Sequence, residues 1–168
     1  MPAFALYPSA NGTHQEWGVS SGSAWEAVKS SGGAYIGITG NLGITRASFQ
    51  MDNLPGNASQ IEGSVVHYKR QAESADREPA WSLCGFLSPS EQICGGHAVY
   101  KDTTYHEIPH AFATAYGGAA WTVAILNAAE IEVYDDPAVG WIRHDQIWAA
   151  GNYTTAGMTF LSLLSVVL

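Results

Sequence analysis

Short stretches of β-prone residues, separated by turns rich in Gly, Pro and Asn, are the feature that most constrains the fold. Residues 34–39, 44–51 and 61–70 have the composition or the period of two typical of strands, and residues 40–43 and 52–57 are typical of turns. No stretch carries a helical stripe of useful length. We therefore predict an all-β fold, an antiparallel jelly-roll-like β-sandwich with one short N-terminal helix and an apolar C-terminal strand.

Residues 119–133 are the stretch around which the other strands would be arranged. Trp121 opens an apolar run that turns at Asn127 and continues as an alternation of charged and apolar residues from Glu130 to Val133. This period of two is that of a strand with one face on a core and one face in water. Two acidic side chains on the wet face, Glu130 and Glu132, favour an outer strand that avoids unwanted pairing.

The N-terminal part is poorer in strand signals. Residues 8–33 are rich in Ser, Gly and Asn, which predicts loop, interrupted by one short helix. Ser23 and Glu26 have the spacing of a capping box, in which the serine hydroxyl and the glutamate carboxylate satisfy backbone donors at a helix start. Gly32 and Gly33 are expected to end this helix.

Length and charge limit the classes of function. A chain of 168 residues fits a single domain, 1–168, with residues 141–168 as a C-terminal extension or interface strand. The net charge of −8 and the pI near 5.0 argue against nucleic-acid binding. The N-terminus lacks the pattern of a signal peptide, and the apolar residues 158–168 are too few for a membrane-spanning helix, so no membrane partner is expected.

The C-terminal part is the predicted interface. Residues 158–168 are almost wholly apolar, so a strand formed from them is either a central strand of its own domain or a strand shared between subunits. Only 13% of the chain is charged while 46% is hydrophobic, which is consistent with large permanent contacts. The predicted interface residues are Trp141, Ile142, Trp148, Met158, Phe160, Leu161, Leu163, Leu164, Val166 and Leu168.

One string matches a catalytic motif. His106-Glu107-Ile108-Pro109-His110 has the spacing of zinc peptidases, in which two histidines one helical turn apart bind the metal and the glutamate activates water, with Glu130 as a third ligand downstream. Pro109 disfavours a helix here, and in an extended strand the two histidines would lie about 13 Å apart. We therefore interpret the string as a strand end and assign no catalytic, cofactor or metal residues.

Other candidate residues have an ordinary structural interpretation beside the functional one. Cys84 and Cys94 could pair across a hairpin or remain reduced as small apolar residues. His67 is expected to be a hydrogen-bonded histidine of a sheet rather than a metal ligand. Asp135 and Asp136 precede a proline, which is typical of a turn, although a calcium loop is the alternative.

Aromatic residues raise the possibility of sugar binding. The chain has six tryptophans and eight tyrosines, and aromatic rings can stack on carbohydrate rings. Trp17, Trp25, Trp81 and Trp121 lie within or beside apolar runs, which favours a place in the core. A carbohydrate-binding module would instead require exposed rings on one face of the sandwich.

Four segments resemble a broad group of small tailed-phage structural proteins. They are DNLP at 52–55, IEGSVV at 61–66, AWT at 120–122 and LNAAEIEV at 126–133. The resemblance covers about residues 6–134; Glu132 stands where the group usually has glycine, and residues 141–168 are not explained. The resemblance implies a jelly-roll sandwich of a virion, on the capsid or the tail, without catalysis.

These observations together predict a non-enzymatic virion structural protein that is assembled in the host cytoplasm. The first hypothesis is a capsid cement or decoration protein whose partners are the major capsid protein and copies of itself, for example in a trimer. A carbohydrate-binding or tail-associated module is the alternative, and a zinc hydrolase acting through His106, Glu107 and His110 is the least favoured hypothesis.

Overall fold

The computed structural model describes residues 1–39, 45–73, 82–88, 91–96, 102–135 and 140–156. Within these residues the fold is mostly strand, as the sequence predicts. The strands are β1 (Ala3–Leu6), β2 (Pro8–Gln15), β3 (Gly18–Val19), β4 (Ile36–Thr39), β5 (Thr45–Met51), β6 (Ala58–Glu73), β7 (Ser82–Leu87), β8 (Gln92–Gly96), β9 (His106–Phe112), β10 (Glu130–Asp135) and β11 (Trp141–Thr155). Two short helices, α1 (Ala24–Lys29) and α2 (Val123–Ala128), and a 3-10 turn at Tyr116–Gly118 complete the described elements.

The strands form two antiparallel sheets, one large and one small. The large sheet has the order β3-β4-β11-β6-β9, with β1 pairing a second part of β11, and the small sheet has the order β2-β5-β10-β7-β8. Alternation places the apolar side chains of both sheets between them, where Phe49, Phe86, Ile131 and Ile147 have no exposed surface. The all-β antiparallel sandwich is therefore confirmed, while the jelly-roll connection pattern stays a prediction.

Helix α1 matches its predicted capping box. The Glu26 carboxylate accepts hydrogen bonds from the Ser23 backbone N–H (3.1 Å) and from the Ser23 hydroxyl (2.6 Å). These bonds lower the pKa of Glu26. Ala27 and Val28 point into the core, so this short helix is anchored by its apolar side.

Helix α2 was not predicted, because its six residues are too few to show a helical stripe. The Thr122 hydroxyl accepts a hydrogen bond from the Ile125 backbone N–H (3.1 Å), which stabilises the helix start. Leu126 fixes the helix against the core. Among the described residues, no helix has the length and apolarity needed to cross a membrane.

Three expectations about strand positions are wrong. Strand β10 is central in the small sheet rather than an outer strand, because β5 and β7 pair with its two edges. Strand β11 is likewise central, between β4 and β6, so residues 141–155 are part of the sandwich and not an extension. Residues 8–15 form β2 rather than loop, since backbone pairing with β5 does not require apolar side chains.

No disulfide joins Cys84 and Cys94. Strands β7 and β8 place Cys84 opposite Gly95, and Cys94 opposite Gly85. Neighbouring positions on paired strands point to opposite faces, so Cys84 is buried in the core while Cys94 is exposed. Of the two alternatives, the reduced state is therefore the one found.

Candidate functional site

The outer face of the small sheet carries a carboxylate cluster that the chain itself covers. Between Asn11 and Gln15, β2 has extra residues relative to β5, and this bulge lies over Glu130. The Glu130 carboxylate accepts hydrogen bonds from the Thr13 backbone N–H (2.7 Å) and the Thr13 hydroxyl (2.9 Å). It also accepts one from the Ser48 hydroxyl (2.6 Å). Glu130 thus holds the bulge in place.

Glu132, two positions further along β10, is almost completely buried in the same cluster. Its side chain is 1% exposed, and its carboxylate accepts a hydrogen bond from the Gln92 side-chain amide. The other carboxylate oxygen lies 3.9 Å from His14 Nε2. Burial raises the pKa of Glu132, and the Gln92 hydrogen bond opposes this shift. Glu132 is therefore internal, contrary to the prediction of a solvent-exposed face, whereas Glu130 is half-buried under the bulge.

The histidines of the HExxH string lie on β9, which runs unbroken through Pro109. His106 Nε2 lies 2.9 Å from a carboxylate oxygen of Asp102, and this hydrogen bond lowers the pKa of Asp102. His110 instead packs against Phe112, with ring centroids 4.8 Å apart. Strand positions four apart do not give the helical geometry that the peptidase motif requires. In the part of the chain that the structure describes, no group of three or more His, Cys, Asp or Glu side chains could hold a metal ion.

Two other candidate sites from the sequence are His67 and the acidic pair Asp135 and Asp136. His67 is fully buried, and its Nε2–H donates a hydrogen bond to the Glu132 carbonyl oxygen (3.0 Å), which joins the two sheets. Its predicted role as a hydrogen-bonded sheet histidine is confirmed. The predicted turn or calcium loop at Asp135 and Asp136 lies outside the residues whose side chains are described.

The tryptophan predictions are also partly tested. Trp17 and Trp121 are buried in the core, and Trp121 Nε1–H donates to the Phe112 carbonyl oxygen (2.9 Å). Trp25 is half-buried at the first turn of α1 and packs against the core. Trp81 lies outside the described residues.

The outer face of the large sheet carries aromatic rings and arginines, in contrast to the carboxylate cluster on the small sheet. We define the aromatic face as a set of half-buried rings and guanidinium groups on β11, β6 and the adjoining segments. Its members are Tyr7, Tyr35, Tyr68, Arg70, Tyr105, Trp141, Arg143 and Trp148.

One end of the aromatic face is a stack of three rings. Tyr68 on β6 stands opposite Trp148 on β11, and their rings are parallel within 3° at a centroid distance of 4.8 Å. Tyr7 extends the stack on the other side of Trp148, at 6.4 Å. Such cross-strand aromatic pairs stabilise a sheet by up to about 1 kcal/mol each. Because each ring packs against its neighbour, its side-chain rotation is restricted, and the stack forms a partly exposed surface.

The other end combines arginines with rings. The Arg143 guanidinium carbon lies 4.2 Å from the Trp141 ring centroid and 4.6 Å from that of Tyr35. Nearby, Arg70 forms an ion pair with Asp145 and lies 5.0 Å from the Tyr105 ring centroid.

Ionisation of two groups at this end is shifted by burial. The Asp145 carboxyl has a raised pKa, which the charge of Arg70 partly opposes. Burial also raises the pKa of Tyr105, and the charge of Asp145 adds to this shift.

The predicted interface residues are distributed over three environments. Trp141 and Trp148 are half-buried on the aromatic face. Ile142 has no exposed surface and is a core residue, so we leave it out of the interface. Met158, Phe160, Leu161, Leu163, Leu164, Val166 and Leu168 lie outside the described residues.

Sequence reasoning missed the tyrosines and arginines of the aromatic face. One signal was present, since Tyr68 alternates with His67 and Lys69 and so had to point away from the core. Its pairing with Trp148 depends on the register of two strands about 80 positions apart, which the sequence pattern does not specify.

Comparison with protein-family models gives no match, and neither does comparison with curated proteins.

Proposed function

We propose that the chain is a non-enzymatic structural protein of a phage virion, most directly a cement or decoration protein of the capsid. Its partners would be the major capsid protein and copies of itself, and it would be assembled in the host cytoplasm. This proposal is supported by the low content of charged residues and by the resemblance to phage structural proteins at residues 52–55, 61–66, 120–122 and 126–133.

The observation that carries the proposal is the aromatic face. Protein interfaces are enriched in Tyr, Trp and Arg, and these residues contribute most of the binding energy in many complexes. Rings that are already stacked, such as Tyr68 and Trp148, lose little side-chain freedom on binding. A partner that covers this face would bury half-exposed rings without requiring the sandwich to rearrange.

Particle composition and loading are the direct tests. Mass spectrometry of virions from the phage that encodes the chain should find it in a fixed ratio to the major capsid protein. Replacing both rings of the stack, by Trp148→Ala with Tyr68→Ala, should reduce the occupancy on shells at least about tenfold, because hot-spot residues are removed. Tyr134→Ala is the matched control, since Tyr134 is half-buried on the outer face of the other sheet. Full occupancy of the double variant would contradict the proposed interface, and absence from virions would contradict the function.

The C-terminal residues 158–168 remain part of the proposed interface. A chain that ends after Thr155 retains all of β11 and should therefore fold. We expect it to be defective in assembly, since it lacks the apolar residues. If the shortened chain loads onto shells with full occupancy, the contribution of Met158 to Leu168 is excluded.

A carbohydrate-binding module is the second candidate function. The half-exposed rings of the aromatic face favour it, because a sugar-binding sandwich requires partly exposed aromatic side chains on one of its faces. A glycan array would test this candidate: binding that Trp148→Ala removes and Tyr134→Ala retains would support it, while an array without signal would contradict it.

A further inference from the structure

We propose that a hollow beside Arg143 binds the carboxylate of a sugar acid, a pyranose of the uronic-acid class. The inference rests on the second candidate function, and it does not depend on whether the chain belongs to a virion.

The hollow is formed where two glycines face each other on paired strands. Gly18 of β3 pairs with Gly37 of β4, so neither strand fills the space with a side chain. The cavity has a volume of about 210 Å³ and is lined by Tyr35 and Arg143 together with Val19, Ser20 and the backbone of neighbouring residues. This volume is below that of pockets that enclose a whole ligand, so the hollow has room for one ring-sized group of a larger ligand that approaches from the edge of the sheet.

Arg143 supplies the charge at this position. A Cβ on Gly37 would lie 3.2 Å from Arg143 Cγ, so the glycine makes room for the arginine to cross the strand. The guanidinium contacts the rings of Tyr35 and Trp141, which restrict its orientation. Among the described residues, Arg143 has no carboxylate partner, whereas Arg70 is paired with Asp145.

A guanidinium held in this way recognises planar oxyanions. Its N–H donors lie in one plane and match the two oxygens of a carboxylate, with which arginine often forms two parallel hydrogen bonds. The charge complementarity is local, because the chain as a whole is acidic. The hollow therefore holds one carboxylate group of a ligand at a time.

The ring stack explains why the carboxylate is assigned to a sugar. Arg143 and Trp148 lie on the same outer face of β11, about 13 Å apart when the one-residue bulge at Asp145 is taken into account. A short oligosaccharide that places its acidic sugar in the hollow would bring a following sugar to the exposed edges of Trp148 and Tyr68, because the ring faces of Trp148 are covered by Tyr68 and Tyr7. An acidic peptide could also reach Arg143, and it is a competing occupant in the test.

The test is a titration of the ¹⁵N-labelled chain with trigalacturonic acid, followed by NMR. Maltotriose is the neutral control, and triglutamate is the acidic peptide control. We expect saturable shifts of the Gly18, Gly37 and Arg143 amides with the acidic sugar, and affinities at least about tenfold lower for both controls. Equal affinity for maltotriose or triglutamate, absence of binding, or shifts confined to other residues would overturn the proposal.

Variants separate the hollow from the rest of the surface. Arg143→Gln should lower the affinity for trigalacturonic acid at least about tenfold, and Arg143→Lys should lower it less because the charge remains. Arg46→Gln is the matched control, since Arg46 packs on the Tyr134 ring (4.9 Å) on the outer face of the small sheet. Unchanged binding by Arg143→Gln would overturn the assignment.

Filling the hollow gives a test that does not alter charge. Gly18→Val should abolish binding of the acidic sugar. If that variant does not fold, Gly18→Ala serves, because its Cβ would lie 3.5 Å from the Gly37 carbonyl oxygen, an ordinary contact. If a folded Gly18 variant retains its affinity for trigalacturonic acid, the proposal is overturned. The loading of the chain on shells is a separate experiment, and its result decides only the virion function.

Discussion

The two sheets of the sandwich have the same alternation of side chains but treat their outer faces differently. On the small sheet, the β2 bulge lies over part of the outer face, where Glu132 and Ser48 are buried and Glu130 is half-buried. On the large sheet, the outer face presents stacked and half-exposed rings such as Tyr68 and Trp148. The comparison teaches that alternation determines which side chains share a face, while coverage by another segment determines whether that face is internal or available to a partner.

The largest expected effect comes from forcing the bulge off the small sheet. A Cβ on Gly12 would meet the Glu130 carboxylate and lie 2.7 Å from the Ser48 carbonyl carbon, so Gly12→Val cannot be accommodated without moving the bulge. We expect a loss of about 2–3 kcal/mol in the free energy of unfolding, measured by urea denaturation. Gly33→Val is the control, since a Cβ there meets nothing within 4 Å. Equal stability of the two variants would show that the bulge does not cover this face.

A smaller loss is expected when one hydrogen-bonding group of the cluster is removed. Ser48 donates to Glu130 and accepts from the His14 backbone N–H (2.9 Å), so Ser48→Ala leaves both groups without that partner. The free energy of unfolding should fall by about 1–2 kcal/mol. Ser59→Ala removes an exposed hydroxyl that bonds the Thr154 carbonyl oxygen and should cost less than about 0.5 kcal/mol. A similar cost for the two variants would contradict burial of the cluster.

The buried carboxyl of Glu132 should make stability depend on pH. Burial raises the pKa of the Glu132 carboxyl in the folded chain above its value in the unfolded chain. The stability that the protonated carboxyl contributes is therefore fully present below the unfolded-state pKa. It is lost as the pH rises through the folded-state pKa. Glu132→Gln removes this loss, so the variant should gain stability relative to the parent chain as the pH rises above the pKa of a glutamate in the unfolded chain. The exposed Glu107→Gln is the control. A parent-minus-variant difference that is constant with pH would contradict the burial of Glu132.

The smallest effect on stability is expected on the aromatic face. Tyr68→Ala removes one ring of the stack and should cost only about 0.5–1 kcal/mol in thermal or urea unfolding, because the ring is half-buried. Its effect on binding should be much larger than its effect on stability. If Tyr68→Ala lowers the free energy of unfolding as much as Gly12→Val does, the aromatic face stabilises the fold rather than a complex. That result would contradict the contrast between the two sheets.

The sequence predicted most of the local structure. The Ser23–Glu26 capping box follows from chemistry between residues close in the chain. His67 was expected to be hydrogen-bonded, but its partner, the Glu132 carbonyl oxygen, lies 65 positions away. The string at 106–110 was expected to be a strand end, whereas β9 continues through Pro109 to Phe112. Helix α2 was missed because its start depends on a single Thr122 cap, which leaves no periodic signal.

The positions of the strands within the sheets were harder to predict from the sequence. Thr13 contacts Glu130 across 117 positions of sequence, so the alternation of β10 could not indicate that its acidic face is covered. For the same reason the pattern did not distinguish a central strand from an outer one. The aromatic face likewise arises from the register of β6 against β11, which is set by long-range pairing.

The most direct test of the contrast between the two outer faces is oxidative footprinting of the free chain and of the chain in the proposed virion assembly. The account predicts that Trp148 and Tyr68 lose reactivity on assembly, while Tyr134 on the small sheet keeps the reactivity that it has in the free chain. Unchanged reactivity of Trp148 and Tyr68 together with protection of Tyr134 would contradict the assignment of the aromatic face as the binding surface.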